Sequence, residues 1–140
     1  MKQKLKLALV GAGERGQYCY APYAKMHGYE IEFVAVADPH KGRREKFVQD
    51  YHVPAEGVFE TAEQFFARPR MADAVLICTQ DSQHYAYACQ AIDLGYSILL
   101  EKPISPSARE CLDLQRRAEE KGTQIMVCHV MRYTKFYRKL

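Results

Sequence analysis

Short apolar runs alternate with longer segments of mixed polarity along the whole chain. The apolar runs predict about six β-strands, and the segments between them predict helices. Residues 74–78 are apolar without interruption, which is typical of a strand covered on both faces. Alternation of strands and helices predicts an α/β fold, a doubly wound parallel sheet with helices on both faces. The predicted strands are residues 5–10, 31–37, 58–59, 74–78, 97–100 and 124–130.

Capping residues and chain breakers set the predicted helix limits. The first helix is predicted over residues 14–27, with a kink at Pro22. Thr61 caps a brief helix whose Phe65 and Phe66 are expected in the core. The other helices are predicted over residues 42–51, from a cap at Asp81 or Ser82 to about residue 94, and over residues 107–121.

A glycine-rich hexad follows the first predicted strand directly, and it reads Gly11, Ala12, Gly13, Glu14, Arg15, Gly16. In a dinucleotide site the first glycine allows a tight turn, and the second lets the backbone approach a pyrophosphate. The third lets the following helix pack closely on the sheet. The N-terminal amides and the positive dipole end of that helix can then hold the phosphates.

The second predicted strand ends at an isolated acid, Asp38. Its carboxylate would accept hydrogen bonds from the adenosine ribose hydroxyls and would repel a phosphate on that ribose, which favours NAD over NADP. Arg43 and Arg44 soften this preference if they stack on adenine or pair with a phosphate, but a solvated helix face is the favoured interpretation of both. Strand, glycines, helix and acid in this order predict a dinucleotide-binding Rossmann domain over residues 1–130.

Two further polar groups follow the carboxyl ends of predicted strands, where ligands lie in such a sheet. The fourth strand is followed by Thr79, Gln80, Asp81, Ser82, Gln83, His84, and the fifth by Glu101, Lys102, Pro103. An acid-lysine-proline tripeptide at the end of a buried strand has no evident packing role, although it could be a surface lysine before a turn. The lysine charge would stabilise a developing alkoxide. The Lys102–Pro103 peptide is a candidate for the cis form.

The chain resembles the N-terminal half of proteins of the Gfo/Idh/MocA family. Four features match that family in order and spacing: the glycine hexad, Asp38, the loop after the fourth strand and the tripeptide of residues 101–103. This family includes glucose-fructose oxidoreductase and inositol dehydrogenase, and the resemblance covers essentially the whole chain. It implies that Lys102 lies beside the nicotinamide and its ribose, orients the substrate hydroxyl and assists its deprotonation as hydride leaves. It also implies that Glu101 contacts the nicotinamide ribose.

The loop after the fourth strand departs from the family's common pattern, because Gln80 and Asp81 stand where proline and asparagine are common. The resemblance implies that this loop still lies along the nicotinamide ribose, with Thr79, Gln80 and His84 as cofactor-binding candidates. His84 can be a structural residue at the start of a helix or a catalytic one, and the structural interpretation is favoured.

These features favour an oxidoreductase that transfers hydride between NAD and a sugar, polyol or related hydroxyl compound. A non-enzymatic NAD-sensing domain that acts through a partner is one alternative. A methyltransferase that uses S-adenosylmethionine is another, because it also pairs a glycine turn with an acid. The tripeptide of Glu101, Lys102 and Pro103 argues against both, since neither alternative needs a lysine beside a nicotinamide.

Residues 131–140 resemble the start of the family's crossing into a second α/β domain, which supplies the substrate pocket and the oligomer interface. That domain is expected to be absent from this chain. We therefore expect the chain to bind a cofactor without turning over a substrate, and the full-length protein to be a homo-oligomer.

Composition excludes several other classes. A net charge of +3 with both signs interspersed does not favour nucleic-acid binding, and no run approaches the roughly twenty apolar residues of a membrane helix. Five widely spread cysteines without a CxxC pair do not favour a disulfide framework or a metal site. Cys78, Cys89 and Cys128 are expected as small buried hydrophobes in a reducing compartment, which indicates the cytoplasm.

Overall fold

The computed structural model describes residues 3–139 and contains a six-stranded sheet in which every neighbouring pair is parallel. Its strands are β1 (Leu5–Val10), β2 (Ile31–Ala37), β3 (Val58–Phe59), β4 (Ala74–Ile77), β5 (Ser97–Leu100) and β6 (Ile125–Val127). Their spatial order is β3-β2-β1-β4-β5-β6, the order of a Rossmann fold. Strand order reverses between β1 and β4, so their carboxyl ends border the crevice in which such sheets bind ligands.

Helices cover both faces of the sheet. They are a π-helix (Glu14–Tyr20), α1 (Pro22–Met26), α2 (Lys41–Tyr51), α3 (Ala62–Phe66), α4 (His84–Asp93) and α5 (Ala108–Lys121). Short 3₁₀ turns lie at Ala55–Gly57, Asp81–Gln83, Val130–Tyr133 and Tyr137–Lys139. No helix within the described residues is long and apolar enough to cross a membrane.

Two buried clusters explain this arrangement, because alternate residues of β1 point to opposite faces. Leu7 and Leu9 pack in one cluster with residues of α1 and α2, while Ala8 and Val10 pack in the other with residues of α3, α4 and α5. Phe65 is fully buried in the second cluster, as the sequence predicts. The doubly wound α/β architecture is therefore confirmed.

The segment predicted as one helix over residues 14–27 is divided in two. The first part is a π-helix, in which the amide of Ala21 donates to the carbonyl of Gly16 at 3.0 Å. Pro22 then begins α1, because a proline has no N–H to donate and fits the first helical position. The kink predicted at Pro22 is thus a change of helix type.

Two other predicted limits were wrong. Neither Asp81 nor Ser82 caps the helix after β4. A 3₁₀ turn precedes that helix, and its capping residue is Gln80, whose N–H donates to the side chain of Gln83 at 3.2 Å. The last strand ends at Val127 and not at residue 130, because the amide of His129 donates to Val127 at 2.9 Å in a turn.

Candidate functional site

A cleft of about 390 Å³ lies at the carboxyl ends of β1, β2 and β4. Seven residues of the sequence prediction line it: Gly11, Gly13, Glu14, Arg15, Asp38, Thr79 and Gln80. Pro39, His40, Arg43, Cys78 and Gln83 complete the lining. The glycine-rich turn, the acid after β2 and the loop after β4, far apart in sequence, therefore meet at one site.

Gly11 and Gly16 are required by the packing of the protein itself. Gly11 has φ +94°, and a Cβ on it would lie 2.5 Å from the carbonyl oxygen of Cys78. A Cβ on Gly16 would lie 2.4 Å from the carbonyl oxygen of Gly11 and 2.8 Å from a methyl group of Leu9. The first and third glycines thus permit the tight turn and the close approach of helix to strand.

Gly13 is different, because nothing in the described protein excludes a side chain there. Its φ of −80° is ordinary, and the atom nearest to a Cβ on it, its chain neighbours aside, is a guanidinium nitrogen of Arg43 at 3.9 Å. Gly13 lines the cleft, so a side chain on it would project into the cleft and not into the core. Unlike Gly11 and Gly16, Gly13 is therefore not required by the packing of the described protein.

The carboxylate of Asp38 connects the glycine turn to the loop after β2. Asp38 is 4% exposed; its Oδ2 accepts from the amide of Ala12 at 2.8 Å, and its Oδ1 accepts from the amide of His40 at 2.8 Å. Each carboxylate oxygen keeps a second lone pair, and Asp38 lines the cleft.

The two arginines after Asp38 have different surroundings. Arg44 is buried and donates to the carbonyl of Asp38 at 2.6 Å and to Glu60 at 3.3 Å, so it is a structural residue. Arg43 is exposed and lines the cleft. The solvated-face interpretation is therefore wrong for Arg44, and Arg43 stands where a ligand could reach it.

Thr79 lies on the loop after β4, and His84 is the first residue of α4. The hydroxyl oxygen of Thr79 is buried and has no hydrogen-bond partner among the described residues. His84 is 1% exposed, with Nδ1 2.6 Å from the carbonyl oxygen of Pro103 and Nε2 3.2 Å from that of Thr79. The ring bridges the loops after β4 and β5, which supports the structural interpretation of His84.

The carboxylate of Glu101 accepts hydrogen bonds at both of its oxygens. It is 6% exposed; Oε1 accepts from the hydroxyl of Tyr20, and Oε2 accepts from the amide of Lys102 at 3.1 Å. Burial raises the pKa of the Tyr20 hydroxyl, and its contacts with Cys128 and Glu101 raise it further, so Tyr20 remains a donor. Lys102 is exposed, and the Lys102–Pro103 peptide is cis as predicted.

Cysteines at this end of the sheet are thiols. Burial raises the pKa of Cys78, and the charge of Glu101 raises it further. Cys78 and Cys128 each follow the last residue of a strand, whereas Cys89 lies within α4. Cys128 is buried as expected, whereas Cys78 and Cys89 are only partly buried. A protonated thiol is a poor nucleophile.

Five predicted site residues do not line the cleft: Ala12, Gly16, His84, Glu101 and Lys102. Sequence reasoning also missed Tyr20, Gln83 and His40. Tyr20 meets Glu101 across 81 positions, and no local pattern indicates such a pair. His40 was within reach of prediction, because an aspartate commonly accepts from the amide two residues later.

Comparison with known proteins places these features in a family. The family described as "Oxidoreductase family, NAD-binding Rossmann fold" matches residues 5–129. The chain is 30% identical over 138 residues to inositol 2-dehydrogenase of Pseudomonas syringae pv. syringae, covering 97% of this chain and 40% of that protein. It is 26% identical over 130 residues to scyllo-inositol 2-dehydrogenase (NADP(+)) of Bacillus subtilis, covering 92% of this chain and 34% of that protein.

Among solved structures, apo scyllo-inositol dehydrogenase from Lactobacillus casei superimposes with a TM-score of 0.86 at 20% sequence identity, covering 99% of this chain and 40% of that one. The likeness confirms the fold. The chain spans about two fifths of the length of the inositol 2-dehydrogenase and of the solved structure. The family match over residues 5–129, together with the glycine turn and Asp38 at one cleft, shows that the chain belongs to the Gfo/Idh/MocA oxidoreductases and is their NAD(P)-binding Rossmann domain.

Proposed function

We propose that this domain binds the cofactor in the cleft between the glycine turn and the loop after β4. The proposed enzyme transfers hydride between that cofactor and a sugar, polyol or related hydroxyl compound. The observation that carries the proposal is the open space at Gly13, where a Cβ would meet no described atom beyond its chain neighbours closer than 3.9 Å. The unpartnered hydroxyl of Thr79, in the lining of the same cleft, supports it.

The residues present fit a nicotinamide dinucleotide. Backbone amides of residues 13–16 would hold the pyrophosphate, because the amides of Gly11 and Ala12 already donate within the protein and the start of the following helix is electropositive. The free lone pairs of Asp38 would accept from the adenosine ribose hydroxyls, which favours NAD over NADP. Thr79 and Gln80 would border the nicotinamide ribose, since both line the same cleft as the glycine turn.

Lys102 is the candidate catalytic residue. When bound, the cofactor supplies a hydride acceptor or donor. Lys102 is exposed after the carboxyl end of β5, where its ammonium can orient a substrate hydroxyl and stabilise the negative charge that develops on it. Glu101 is already engaged by Tyr20 and by the amide of Lys102, so its proposed contribution is to hold the Lys102 backbone as well as to contact the ribose.

The substrate class follows from the named relatives, two of which are dehydrogenases of inositol. We propose that residues 131–140 lead into a second, substrate-binding domain, because the matched relatives are more than twice as long as this chain. The proposed full-length enzyme is a homo-oligomer. We place it in the cytoplasm, since all five cysteines are free thiols and free thiols suit a reducing compartment.

Calorimetric titration of the purified chain with NAD, NADP and S-adenosylmethionine tests the proposal. We expect saturable binding of NAD, weaker binding of NADP and none of S-adenosylmethionine. Binding of S-adenosylmethionine without NAD would contradict the assignment of this cleft to a nicotinamide cofactor.

A further inference from the structure

Tyr20 reaches from the helix after the glycine turn to the end of β5. It is the last residue of the π-helix, and its hydroxyl donates to Oε1 of Glu101, 81 positions later in the chain. The amide of Lys102 donates to Oε2 of the same carboxylate at 3.1 Å. Burial raises the pKa of the Tyr20 hydroxyl, so the hydroxyl stays protonated and keeps donating. Two donors from different elements therefore fix the direction of this carboxylate.

The carboxylate of Glu101 and the ammonium of Lys102 belong to consecutive residues, and yet they are not paired. Glu101 is 6% exposed, whereas Lys102 is exposed. Within residues 3–139 the ammonium of Lys102 makes no ion pair and no hydrogen bond. To reach that ammonium, the carboxylate would have to turn outwards from its buried position and give up the bond to Tyr20. This bond therefore opposes an ion pair that would take up the charge of Lys102.

We infer that Tyr20 is a positioning residue, which holds the Glu101 carboxylate inward and thereby leaves the ammonium of Lys102 unpaired for a substrate oxygen. The inference rests on the proposed function, because it requires Lys102 to act beside the nicotinamide. Without the Tyr20 hydroxyl, Oε1 would lose its donor inside the protein, where an unpartnered carboxylate oxygen is costly. A turn towards the ammonium of Lys102 would return a charged donor to that oxygen. The lysine would then be neutralised by its own neighbour in the chain.

Arg15 is a second cation near this carboxylate. A hydrogen bond to the thiol of Cys19 and the charge of Glu101 raise the pKa of Arg15. Arg15 lines the cofactor cleft, whereas Lys102 follows Glu101 directly in the chain. Removal of the Lys102 charge alone therefore distinguishes an ion pair at Lys102 from one at Arg15.

The charge of the nicotinamide ring offers a readout of the state of Lys102. The ring is positively charged in NAD and neutral in NADH, so a free ammonium beside it weakens NAD relative to NADH. An ammonium paired with Glu101 has much less effect, because the two charges cancel. The ratio of the two affinities therefore reports whether Lys102 is paired. A general loosening of the domain would weaken both cofactors and leave their ratio unchanged.

The test measures NAD and NADH binding by calorimetry in the unmodified chain, in Tyr20→Phe and in Lys102→Gln. We expect each variant to shift the affinity ratio towards NAD about threefold, as for one charge about 6 Å away in water. When both changes are combined, Tyr20→Phe should add nothing to Lys102→Gln, because no ammonium is left to neutralise. Tyr85→Phe is the matched control, since its hydroxyl donates to Asp113 at 2.7 Å between α4 and α5, and it should leave the ratio unchanged.

The outcomes separate the inference from the function on which it rests. An unchanged ratio in Tyr20→Phe, shown to be folded by circular dichroism, would overturn the inference. So would an equal shift in the Lys102→Gln background, which would assign the effect to another group such as Arg15. Lys102→Gln changes an exposed side chain, and an unchanged ratio in that variant would also overturn the inference, whether or not Tyr20→Phe folds. Failure of the unmodified chain to bind either NAD or NADH would overturn the proposed function as well.

Discussion

The hydroxyl of Tyr20 donates a hydrogen bond to Oε1 of Glu101, joining the π-helix after the glycine turn to the acid-lysine-proline tripeptide. The amide of Lys102 occupies the other oxygen of the same carboxylate. A buried carboxylate without donors is costly, so Tyr20 makes the burial of Glu101 tolerable. The helix that follows the glycine turn therefore also fixes the residue next to the candidate catalytic lysine.

Tyr20→Phe tests this link. The variant keeps the ring and removes the donor, which leaves one oxygen of the buried Glu101 unpaired. We expect the free energy of unfolding to fall by about 1–3 kcal/mol, measured by urea denaturation. Tyr18→Phe, on the same helix and 56% exposed, is the control and should change stability little. Equal stability of Tyr20→Phe and the unmodified chain would show that Glu101 does not depend on Tyr20.

Gly13→Val should abolish NAD binding while the domain stays folded. The valine would fill the cleft, whereas the described protein leaves space for its Cβ. Calorimetry and circular dichroism measure the two effects. Gly11→Val should instead unfold or strongly destabilise the domain, because of its positive φ and the 2.5 Å approach to Cys78. Unchanged NAD affinity in Gly13→Val would mean that the hexad is only a structural turn.

Asp38→Ala should narrow the preference for NAD over NADP. The change removes the acceptor for the ribose hydroxyls, a loss of about 1–3 kcal/mol for charge-assisted hydrogen bonds, and also removes the repulsion of a phosphate. Calorimetric titrations with NAD and with NADP measure the difference between the two affinities. Equal affinity of the unmodified chain for NAD and NADP would contradict the role given to Asp38.

The stability of the domain at alkaline pH should depend on the raised pKa of Tyr87. Burial raises the pKa of Tyr87 to about 12, and its hydrogen bond to Glu63, 2.8 Å long, raises it too. A tyrosine pKa is about 10 in an unfolded chain, so the folded state favours the protonated form. Its contribution to stability is complete below about pH 10 and is lost as the pH rises towards 12. The free energy of unfolding, measured across this pH range, should therefore fall less steeply with rising pH in Tyr87→Phe than in the unmodified chain. Identical profiles would disprove the assignment.

The 140-residue chain should bind NAD without turning over inositol or any other polyol. Hydride transfer requires the substrate carbon to be held roughly 3–3.5 Å from the nicotinamide, and such positioning is worth about 7–11 kcal/mol of the barrier. Lys102 is exposed and cannot enclose a substrate by itself. Absorbance of NADH measures turnover. Activity that disappears in Lys102→Ala would show that the substrate site lies within this chain.

Features that depend on neighbouring residues in the sequence, such as the limits of most strands, were predicted correctly. The limits of β1, β2, β3 and β5 are as predicted. Polar or glycine residues lie on both sides of β1, β2 and β3 and directly after β5. The approach of Gly16 to β1 also follows from the spacing of the hexad. The hydrogen bond between Tyr20 and Glu101 was not predictable, since it depends on the tertiary fold. The turn after Gln80 depends on which of several polar side chains reaches back to an amide, and sequence does not decide that.

The bridge made by His84 has a consequence for communication within the domain. A single buried ring touches the carbonyl oxygens of Thr79 and Pro103, so the loop that faces the cleft and the loop that carries Lys102 cannot move independently without losing one of these contacts. A ligand that orders Thr79 thereby restricts the backbone beside Lys102 as well. Cofactor binding can in this way order the loop that carries Lys102 before a substrate arrives. The substrate then has a smaller entropic cost of ordering this loop to overcome.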